Sequence, residues 1–399
     1  MSERISVKLG GFQSSLTLAL KDVAQQRRQR GLPVYDFGLG ETKGDLAPHI
    51  LEAGERAYRE GQTMYGDPAG IEELRSAALE WLGLSYTYGP EAVVVTTGGK
   101  QSLFNVFLAA CNPSDSVLLD AAPWVSYRPM VVAASARPVM VLPETDDRRL
   151  KVTGEDLRRS LGKHPEARLF LLNSPCNPTG QLYTADEVED LLSVCVQHEI
   201  FFVLDRLYWR ILFDSDSYPE PRVDSNTQPW LIQVDGISKN FRRTGGLRIG
   251  WTVAPADLAE AMVNLQSHYT SGPSIPAQYA ALAAITGAYD TELRNALKNK
   301  RDLLHAEASA LSHVEVWPTP ASFYSFWDVR ACFGKRTPEA RTLRCSDDVA
   351  EYLLKSVGVL TLSGQAFLQD GYLRLSFTLA DDELVAGIRA AAEALSALT

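Results

Sequence analysis

Short apolar runs alternate with helix-length amphipathic segments through the middle of the chain. Each run is bounded by glycine, proline or polar residues, which is typical of strands that are buried on both faces. These predicted strands lie at 93–96, 117–120, 136–142, 169–173, 201–205, 230–234 and 248–254. Predicted helices separate several of them, at 100–110 and 185–198. The alternation predicts a parallel sheet between layers of helices, connected by right-handed crossovers.

The two ends of the chain carry a different pattern. Before the sheet, helical periodicity occurs at 12–30, 50–60 and 71–82, with a predicted strand and glycine turn at 34–41. After it, a long charged helical pattern at 286–311 predicts a connector. Further strands are predicted at 314–317, 323–327 and 372–377, and helices at 346–357 and from 381 onward. This alternation predicts a second, smaller α+β domain that the N-terminal segment closes.

Composition narrows the classes of function. The chain has 399 residues, of which 45% are hydrophobic, enough for a large core and two domains. Its net charge of -10 argues against nucleic acid or an anionic membrane as a partner. Because no apolar run reaches membrane-spanning length and the first residues lack a signal-peptide pattern, we expect a cytoplasmic protein. The five cysteines are scattered, so we expect neither disulfides nor a metal site.

Polar and aromatic residues follow the carboxyl ends of the predicted strands, where open α/β sheets bind ligands. They are Gly98 to Lys100, Trp124, Asn177, Asp205 and Lys239. A glycine turn between strand and helix leaves the first backbone N–H groups of the helix pointing outward, where they can hold a phosphate. Taken singly, each residue has an ordinary structural explanation, such as a turn, a helix cap or a solvated cation. Their convergence on one edge predicts a ligand site.

Lys239 lies between two predicted strands, in the glycine-rich stretch 236–251. A buried lysine amine can form a Schiff base with an aldehyde, and the natural aldehyde cofactor is pyridoxal 5′-phosphate (PLP). Asp205, at the end of an apolar strand, could keep the pyridine nitrogen of PLP protonated. Asn177 and Tyr208 can donate to its phenolic oxygen. The Asn-Pro bond after Asn177 is also a candidate cis peptide.

In order and spacing together, these motifs resemble the class I/II aminotransferases of fold type I, and among them the subgroup with bacterial aspartate aminotransferases. The matching stretches are 38–41, 65–70, 97–101, 124–127, 177–180, 205–208, 238–239, 248–250 and 372–377. The resemblance covers nearly the whole chain and implies an α/β fold. It implies a large domain with a mostly parallel seven-stranded sheet between helices, plus a smaller α+β domain. The implied divisions are an N-terminal segment packing with the small domain (1–48), a PLP-binding domain (49–285), and a connector helix with the small domain (286–399).

The resemblance also implies roles for individual residues. Lys239 would bind PLP covalently and move the proton, Asp205 would pair with the ring nitrogen, and Tyr208 would hold the phenolic oxygen. The other residues implied to bind the cofactor are Tyr65, Gly98, Gly99, Lys100, Trp124, Asn177, Ser238 and Arg248. Tyr65 would reach into the site of the neighbouring subunit of a homodimer. The residues implied to bind substrate are Gly40, Trp124, Asn177 and Arg374, with Lys100, Ser15 and Thr17 at a distal carboxylate.

The resemblance therefore implies a PLP-dependent aminotransferase that acts on a small, acidic L-amino acid such as aspartate or glutamate, with a 2-oxo acid acceptor. Departures from the family pattern leave alternatives open. Residues 41–43 are Glu-Thr-Lys where the family usually has Glu-Pro-Asp. Asp205 is followed by Arg206, and Ala121 to Pro123 differ from the usual residues before Trp124. One extra residue lies between Lys239 and Arg248. Arg242 and Arg243 lie in that longer loop, which could admit a larger or more anionic substrate.

Two other classes of function remain open. The carbanion that PLP stabilises could instead lead to β- or γ-elimination, replacement or carbon–carbon bond formation in a specialised biosynthetic pathway. A non-catalytic PLP-binding regulator is the third possibility. The lack of a basic patch in this acidic chain argues against it.

Overall fold

The computed structural model describes residues 16–145 and 149–399. Its helices are α1 (Leu16–Gln29), α2 (Pro48–Arg59), α3 (Glu72–Trp81), α4 (Gly99–Ala110), α5 (Tyr127–Ala133), α6 (Gly154–Lys163), α7 (Ala185–Gln197), α8 (Ile237–Asn240), α9 (Ala256–Ser267), α10 (Ile275–Thr286), α11 (Thr291–Ala308), α12 (Ser346–Val357) and α13 (Asp381–Ser396). Its strands are β1 (Tyr35–Asp36), β2 (Val93–Thr96), β3 (Ser116–Leu119), β4 (Arg137–Met140), β5 (Ala167–Asn173), β6 (Phe201–Asp205), β7 (Leu231–Gly236), β8 (Gly250–Val253), β9 (Glu315–Val316), β10 (Tyr324–Asp328), β11 (Val359–Leu360), β12 (Leu362–Ser363) and β13 (Tyr372–Ser376).

A seven-stranded sheet in the order β2-β8-β7-β6-β5-β3-β4 forms the centre of the fold. All of its strands run in one direction except β8, which is antiparallel to both of its neighbours. The mostly parallel sheet and the α/β fold class predicted above are confirmed. Because β8 runs the other way, its first residue lies at the edge where the parallel strands end.

Helices cover both faces of this sheet. Along β5, Leu169 and Leu171 pack in one core cluster with residues of α4, α5 and α9. Phe170 and Leu172 point to the opposite face and pack with residues of α6 and α7. Strands buried on both faces need apolar residues at nearly every position, which is why residues 169–172 of β5 are all apolar.

A smaller antiparallel sheet, in the order β12-β13-β10-β9, packs with α11, α12 and α13. The N-terminal part of the chain joins this region, because β1 pairs in parallel with β11. The division at residues 48 and 285 stays a prediction. Within 16–145 and 149–399, every helix is too short or too polar to cross a lipid bilayer. In the same ranges, His, Cys, Asp and Glu side chains do not group in threes as metal ligands do.

Candidate active site

The carboxyl edge of the seven-stranded sheet brings the predicted site residues together. Strand β6 ends at Asp205, and β7 leads directly into the one-turn helix α8, which carries Ser238 and Lys239. The turn after β2 contains Gly98, which precedes α4. Arg248 reaches the same edge because it stands just before the antiparallel strand β8.

Asp205 is a buried acid held by two donors. Its Oδ2 accepts a hydrogen bond of 2.6 Å from the Tyr127 hydroxyl, and its Oδ1 accepts one of 3.2 Å from the Leu207 N–H. Burial raises the pKa of Asp205 to about 6, against the lowering effects of these donors and of Lys239. A cationic ring nitrogen at this carboxylate would lower the pKa further, so the pair would stabilise each other.

The turn at Gly98 and Gly99 leaves no room for side chains. Gly98 has a φ of 79°, and a Cβ there would lie 2.6 Å from Nη2 of Arg248. A Cβ on Gly99 would lie 2.9 Å from Cδ1 of Leu207. Arg248 donates to the carbonyls of Gly245 at 2.9 Å and Thr97 at 3.4 Å, so its guanidinium lies beside the N-terminus of α4. A helix N-terminus next to a guanidinium is a site for a phosphate.

Lys239 is half-buried, not fully buried as the sequence suggested. Its Nζ donates to the Gly40 carbonyl and lies 5.9 Å from the centroid of the Phe323 ring. Lys100 places its Nζ 4.9 Å from the centroid of the Trp124 ring. Although Lys100 stays open to solvent, its pKa is lowered, first by partial desolvation and then by the charges of Arg248 and Lys239. The site therefore gathers three cations that repel one another.

Arg374 is a buried cation on β13. Its Nη2 donates to the Gly38 carbonyl at 2.8 Å, and its Nη1 donates to Oδ1 of Asn177 at 3.2 Å. Its guanidinium carbon lies 4.6 Å from the centroid of the Tyr324 ring. Burial lowers the pKa of Arg374, and its buried Nε has no hydrogen-bond partner. No carboxylate of the described residues forms an ion pair with it.

Asn177 and Tyr208 lie where the sequence places them, next to this arginine. The Asn177 N–H donates to Oδ1 of Asn173 at 2.7 Å, which fixes the turn after β5. The hydroxyls of Tyr208 and Tyr324 lie 3.2 Å apart. The cis peptide bond of this turn joins Ser174 to Pro175, so the prediction of a cis bond after Asn177 is wrong.

Other predicted residues lie outside this cluster. Tyr65 is 95% exposed on the surface of the chain, as a residue that reaches a neighbouring subunit must be. Ser15 lies outside the described residues, and for Thr17 the structure gives only its place in α1. Arg242 and Arg243 form ion pairs with Asp290 and Asp45 respectively. The charge of Arg242 is closely paired, which argues against the idea that this arginine receives an anionic substrate.

Sequence reasoning missed two buried polar residues of the site. Tyr127 holds Asp205, and it lies three positions after Trp124 with the two ring centroids 5.5 Å apart. Asp120 follows β3 and accepts a 3.3 Å hydrogen bond from the Asn173 N–H, while its Oδ1 is buried without a partner. Burial raises the pKa of Asp120 to about 7. Since Asp120 ends an apolar strand just as Asp205 does, the same strand-end argument could have found it.

The geometry fits PLP at each part of the cofactor. A buried carboxylate is available for the ring nitrogen, an amine for the aldehyde, and a glycine turn with a guanidinium for the phosphate. A Cβ on Gly40 would lie 2.4 Å from the Tyr324 hydroxyl, so the backbone on the substrate side is also closely fitted. The buried Arg374 adds a position for a carboxylate.

Comparisons with known proteins agree with this geometry. The profile of the family "Aminotransferase class I and II" matches residues 33–390. An aspartate/prephenate aminotransferase of Cereibacter sphaeroides is 33% identical over 95% of this chain and 96% of its own length. A probable aspartate/prephenate aminotransferase of Thermus aquaticus is 33% identical over 98% of this chain and 99% of its own.

A solved structure shows the same fold. The aspartate aminotransferase from Rhizobium meliloti superposes with a TM-score of 0.93 at 29% identity, covering 99% of this chain and 100% of that one. Sequence, fold and site thus point to one family. The chain belongs to the class I and II aminotransferases, enzymes that transfer amino groups with PLP as cofactor.

Proposed function

We propose that the protein transfers the amino group of a small acidic L-amino acid, aspartate or glutamate, to a 2-oxo acid. When bound, PLP supplies an aldehyde that condenses with amino groups and a ring that withdraws electrons. The observation that carries the proposal is Arg374, a buried guanidinium without an anionic partner among the described residues.

The α-carboxylate of the substrate would provide that partner. An uncompensated buried charge is unfavourable by about 3–5 kcal/mol, and a carboxylate can accept two parallel hydrogen bonds from a guanidinium. Arg374 and Lys239 donate to the carbonyls of Gly38 and Gly40, which are two residues apart. Both side chains therefore flank one short segment. A substrate bound through its carboxylate at Arg374 presents its Cα toward Lys239, which takes the Cα proton and returns it.

The preference for an acidic side chain rests on the cations at the other side of the site. Partial desolvation lowers the pKa of Lys100 most, and the nearby charges of Arg248 and Lys239 lower it too. A second carboxylate at Lys100 would relieve this repulsion. The relatives named above carry aspartate and prephenate in their names, and both compounds are dicarboxylates. We therefore include prephenate among the acceptors to be tested, beside 2-oxoglutarate and oxaloacetate.

The proposal is tested by single turnovers of the purified holoenzyme. L-aspartate, L-glutamate, L-alanine and L-phenylalanine are added separately, and the absorbance of the bound cofactor and the 2-oxo acid product are followed. The two acidic amino acids should react at least about tenfold faster, because a charge-assisted hydrogen bond contributes about 1.5–3 kcal/mol. Equal rates with alanine would overturn the substrate assignment. Release of ammonia or of an eliminated group would favour the elimination chemistry instead.

A variant pair separates the two carboxylate sites. Lys100→Gln should reduce the preference for acidic over neutral amino acids. Arg374→Gln should weaken the binding of all amino acid substrates alike, since every one of them carries an α-carboxylate. Loss of the acidic preference in both variants would argue against separate sites.

We further propose that the enzyme is a homodimer in which Tyr65 completes the partner's phosphate site. Tyr65 and Met64 are 95% and 83% exposed in this chain, an unusual exposure for two large side chains. Tyr65→Phe should lower the affinity for PLP without dissociating a dimer in sedimentation. A monomer in solution would refute the arrangement. A cytoplasmic location stays a prediction.

A further inference from the structure

The backbone segment 38–45 faces the site with two carbonyl groups. Gly38 accepts a hydrogen bond from Arg374, and Gly40 accepts one from Lys239. The position of the Gly38 carbonyl orients the guanidinium that is to bind the substrate. Contacts that fix segment 38–45 on the side away from the site should therefore affect the affinity of the site for a carboxylate.

Segment 38–45 packs against the loop that follows α8. The buried hydroxyl of Thr42 donates to the Phe241 carbonyl at 3.0 Å. Gly44 has a φ of +120°, and a Cβ there would lie 2.8 Å from Cδ of Arg242. The backbone at Gly44 thus rests directly on the aliphatic part of the arginine. The side chain of Arg242 therefore supports the segment. The position of this side chain depends on what binds its guanidinium group.

That charged end is fixed by the start of α11. The Nε of Arg242 lies 2.9 Å from Oδ2 of Asp290, and the side chains of the pair are 27% and 26% exposed. The other oxygen of Asp290 accepts the Leu293 N–H at 2.9 Å and so caps α11. Glu292 is 3.7 Å from Arg242 but 86% exposed, so solvent screens its contribution. The carboxylate of Asp290 therefore connects the Arg242 side chain to the N-terminus of α11.

In the part of the chain that the structure describes, the neighbouring Arg243 has no ion pair with α11, and it reaches segment 38–45 only through a long, exposed pair with Asp45. The Arg243 side chain is 66% exposed, and its Nη1 is 3.9 Å from Asp45, which is fully exposed. A pair of this kind contributes little to stability or position. Arg243 is therefore a matched control for Arg242.

We propose that Arg242 is a positioning residue for substrate binding. Through its ion pair with Asp290 it holds segment 38–45 in the place that lets the Gly38 carbonyl orient Arg374. In this role Arg242 acts through the backbone of segment 38–45 and needs no contact with substrate or cofactor. The inference rests on the proposed function in two respects, the role of Arg374 as the ligand of the substrate carboxylate and the choice of the amino acid used in the assay.

The test compares Arg242→Gln, Asp290→Asn, the double variant and Arg243→Gln as holoenzymes. Asparagine at 290 can still cap α11 but cannot pair as an anion. In Arg242→Gln and in Asp290→Asn, KM should rise about fivefold, the fold-change that corresponds to about 1 kcal/mol. The double variant should be no worse than either single variant, because both remove the same pair. Arg243→Gln should match the unaltered enzyme.

Two further readouts separate positioning from general damage. Because Lys239 is anchored by α8 at the end of β7, kcat should change less than KM in each variant. The dissociation constant of maleate, an unreactive dicarboxylate, should rise in parallel with KM in titration calorimetry. Arg242→Lys, which keeps the charge, should recover part of the affinity.

Several results would overturn the inference. They are an unchanged KM in Arg242→Gln, an equal loss in Arg243→Gln, or effects that multiply in the double variant. If the enzyme turns over a neutral amino acid better than aspartate, the proposed substrate is wrong. The same variants are then assayed with that amino acid, so the positioning role is judged separately.

Discussion

Asp120 should be a source of instability above neutral pH. It is 4% exposed, one of its oxygens has no partner, and burial is the main cause that raises its pKa to about 7. The hydrogen bond from the Asn173 N–H opposes this rise in pKa, and the charge of Asp205 contributes to it. Asp120→Asn would keep an oxygen for the Asn173 N–H and remove the charge, so the variant should be more stable than the natural protein at alkaline pH.

The size of the effect follows from the two pKa values. In the unfolded chain the carboxyl has its ordinary pKa of 3.8, and in the folded protein about 7. The folded state holds the proton more tightly, so stability is lost as pH rises from about 4 to about 7. The full loss is about 4 kcal/mol, of which about 2 kcal/mol has already occurred at pH 5. The advantage of Asp120→Asn should therefore grow by about 2 to 3 kcal/mol between pH 5 and pH 8.

Thermal unfolding of the cofactor-free protein measures this difference. An unfolding entropy of about 2.1 cal/mol/K per residue over 399 residues converts a difference of about 2 to 3 kcal/mol into about 3 °C. The Tm advantage of the variant should be larger by that amount at pH 8 than at pH 5. Glu52→Gln, at an exposed position of α2, should show the same small shift at both pH values. A pH-independent Tm difference for Asp120→Asn would refute the reasoning.

Three further predictions concern the site. Tyr127→Phe removes the 2.6 Å hydrogen bond to Asp205 and should raise the pKa of that acid, so kcat/KM should fall most at low pH and recover as pH rises; a pH-independent loss would contradict this. Arg374→Lys should raise KM about 30- to 100-fold for aspartate and alanine alike, because a lysine cannot make the two parallel hydrogen bonds of a guanidinium to a carboxylate. Steady-state kinetics that show a change in kcat alone would contradict this prediction. Gly98→Ala should weaken PLP binding about tenfold or more, since a Cβ would meet Arg248 at 2.6 Å at a residue with positive φ. Fluorescence titration measures the dissociation constant of PLP. An unchanged value would exclude the turn at Gly98 as the phosphate site.

Most strands of the large sheet were predictable because burial on both faces makes their sequences largely apolar, although the edge strand β4 is only partly buried. The predicted bounds 93–96 and 201–205 match β2 and β6. Elements with a weaker pattern were placed less well. The predicted helix at 286–311 begins only at Thr291, because Asp290 caps it and a break separates it from α10. The predicted strand at 34–41 is reduced to two residues, since its partner β11 is equally short.

Within the site, residues at strand ends could be predicted, but their mutual contacts could not. Asp205 and Lys239 follow from the chain order of strand and turn. The contact of Arg374 with Asn177 joins residues 197 positions apart, and no local pattern encodes it. The same holds for the contact between Tyr208 and Tyr324. Such pairs depend on how the small sheet docks against the large one, which is a property of the packed core.

The reversed direction of β8 has a consequence for loop exchange. Lys239 leaves the sheet at the end of β7, and Arg248 returns to it at the start of β8, so both stems of the intervening loop are clamped to neighbouring strands. Because Gly236 and Gly250 are paired, most of an insertion or deletion between the stems should be taken up within the loop. Loops of different length should therefore be transplantable between relatives, with Lys239 and Arg248 kept at the same edge of the sheet.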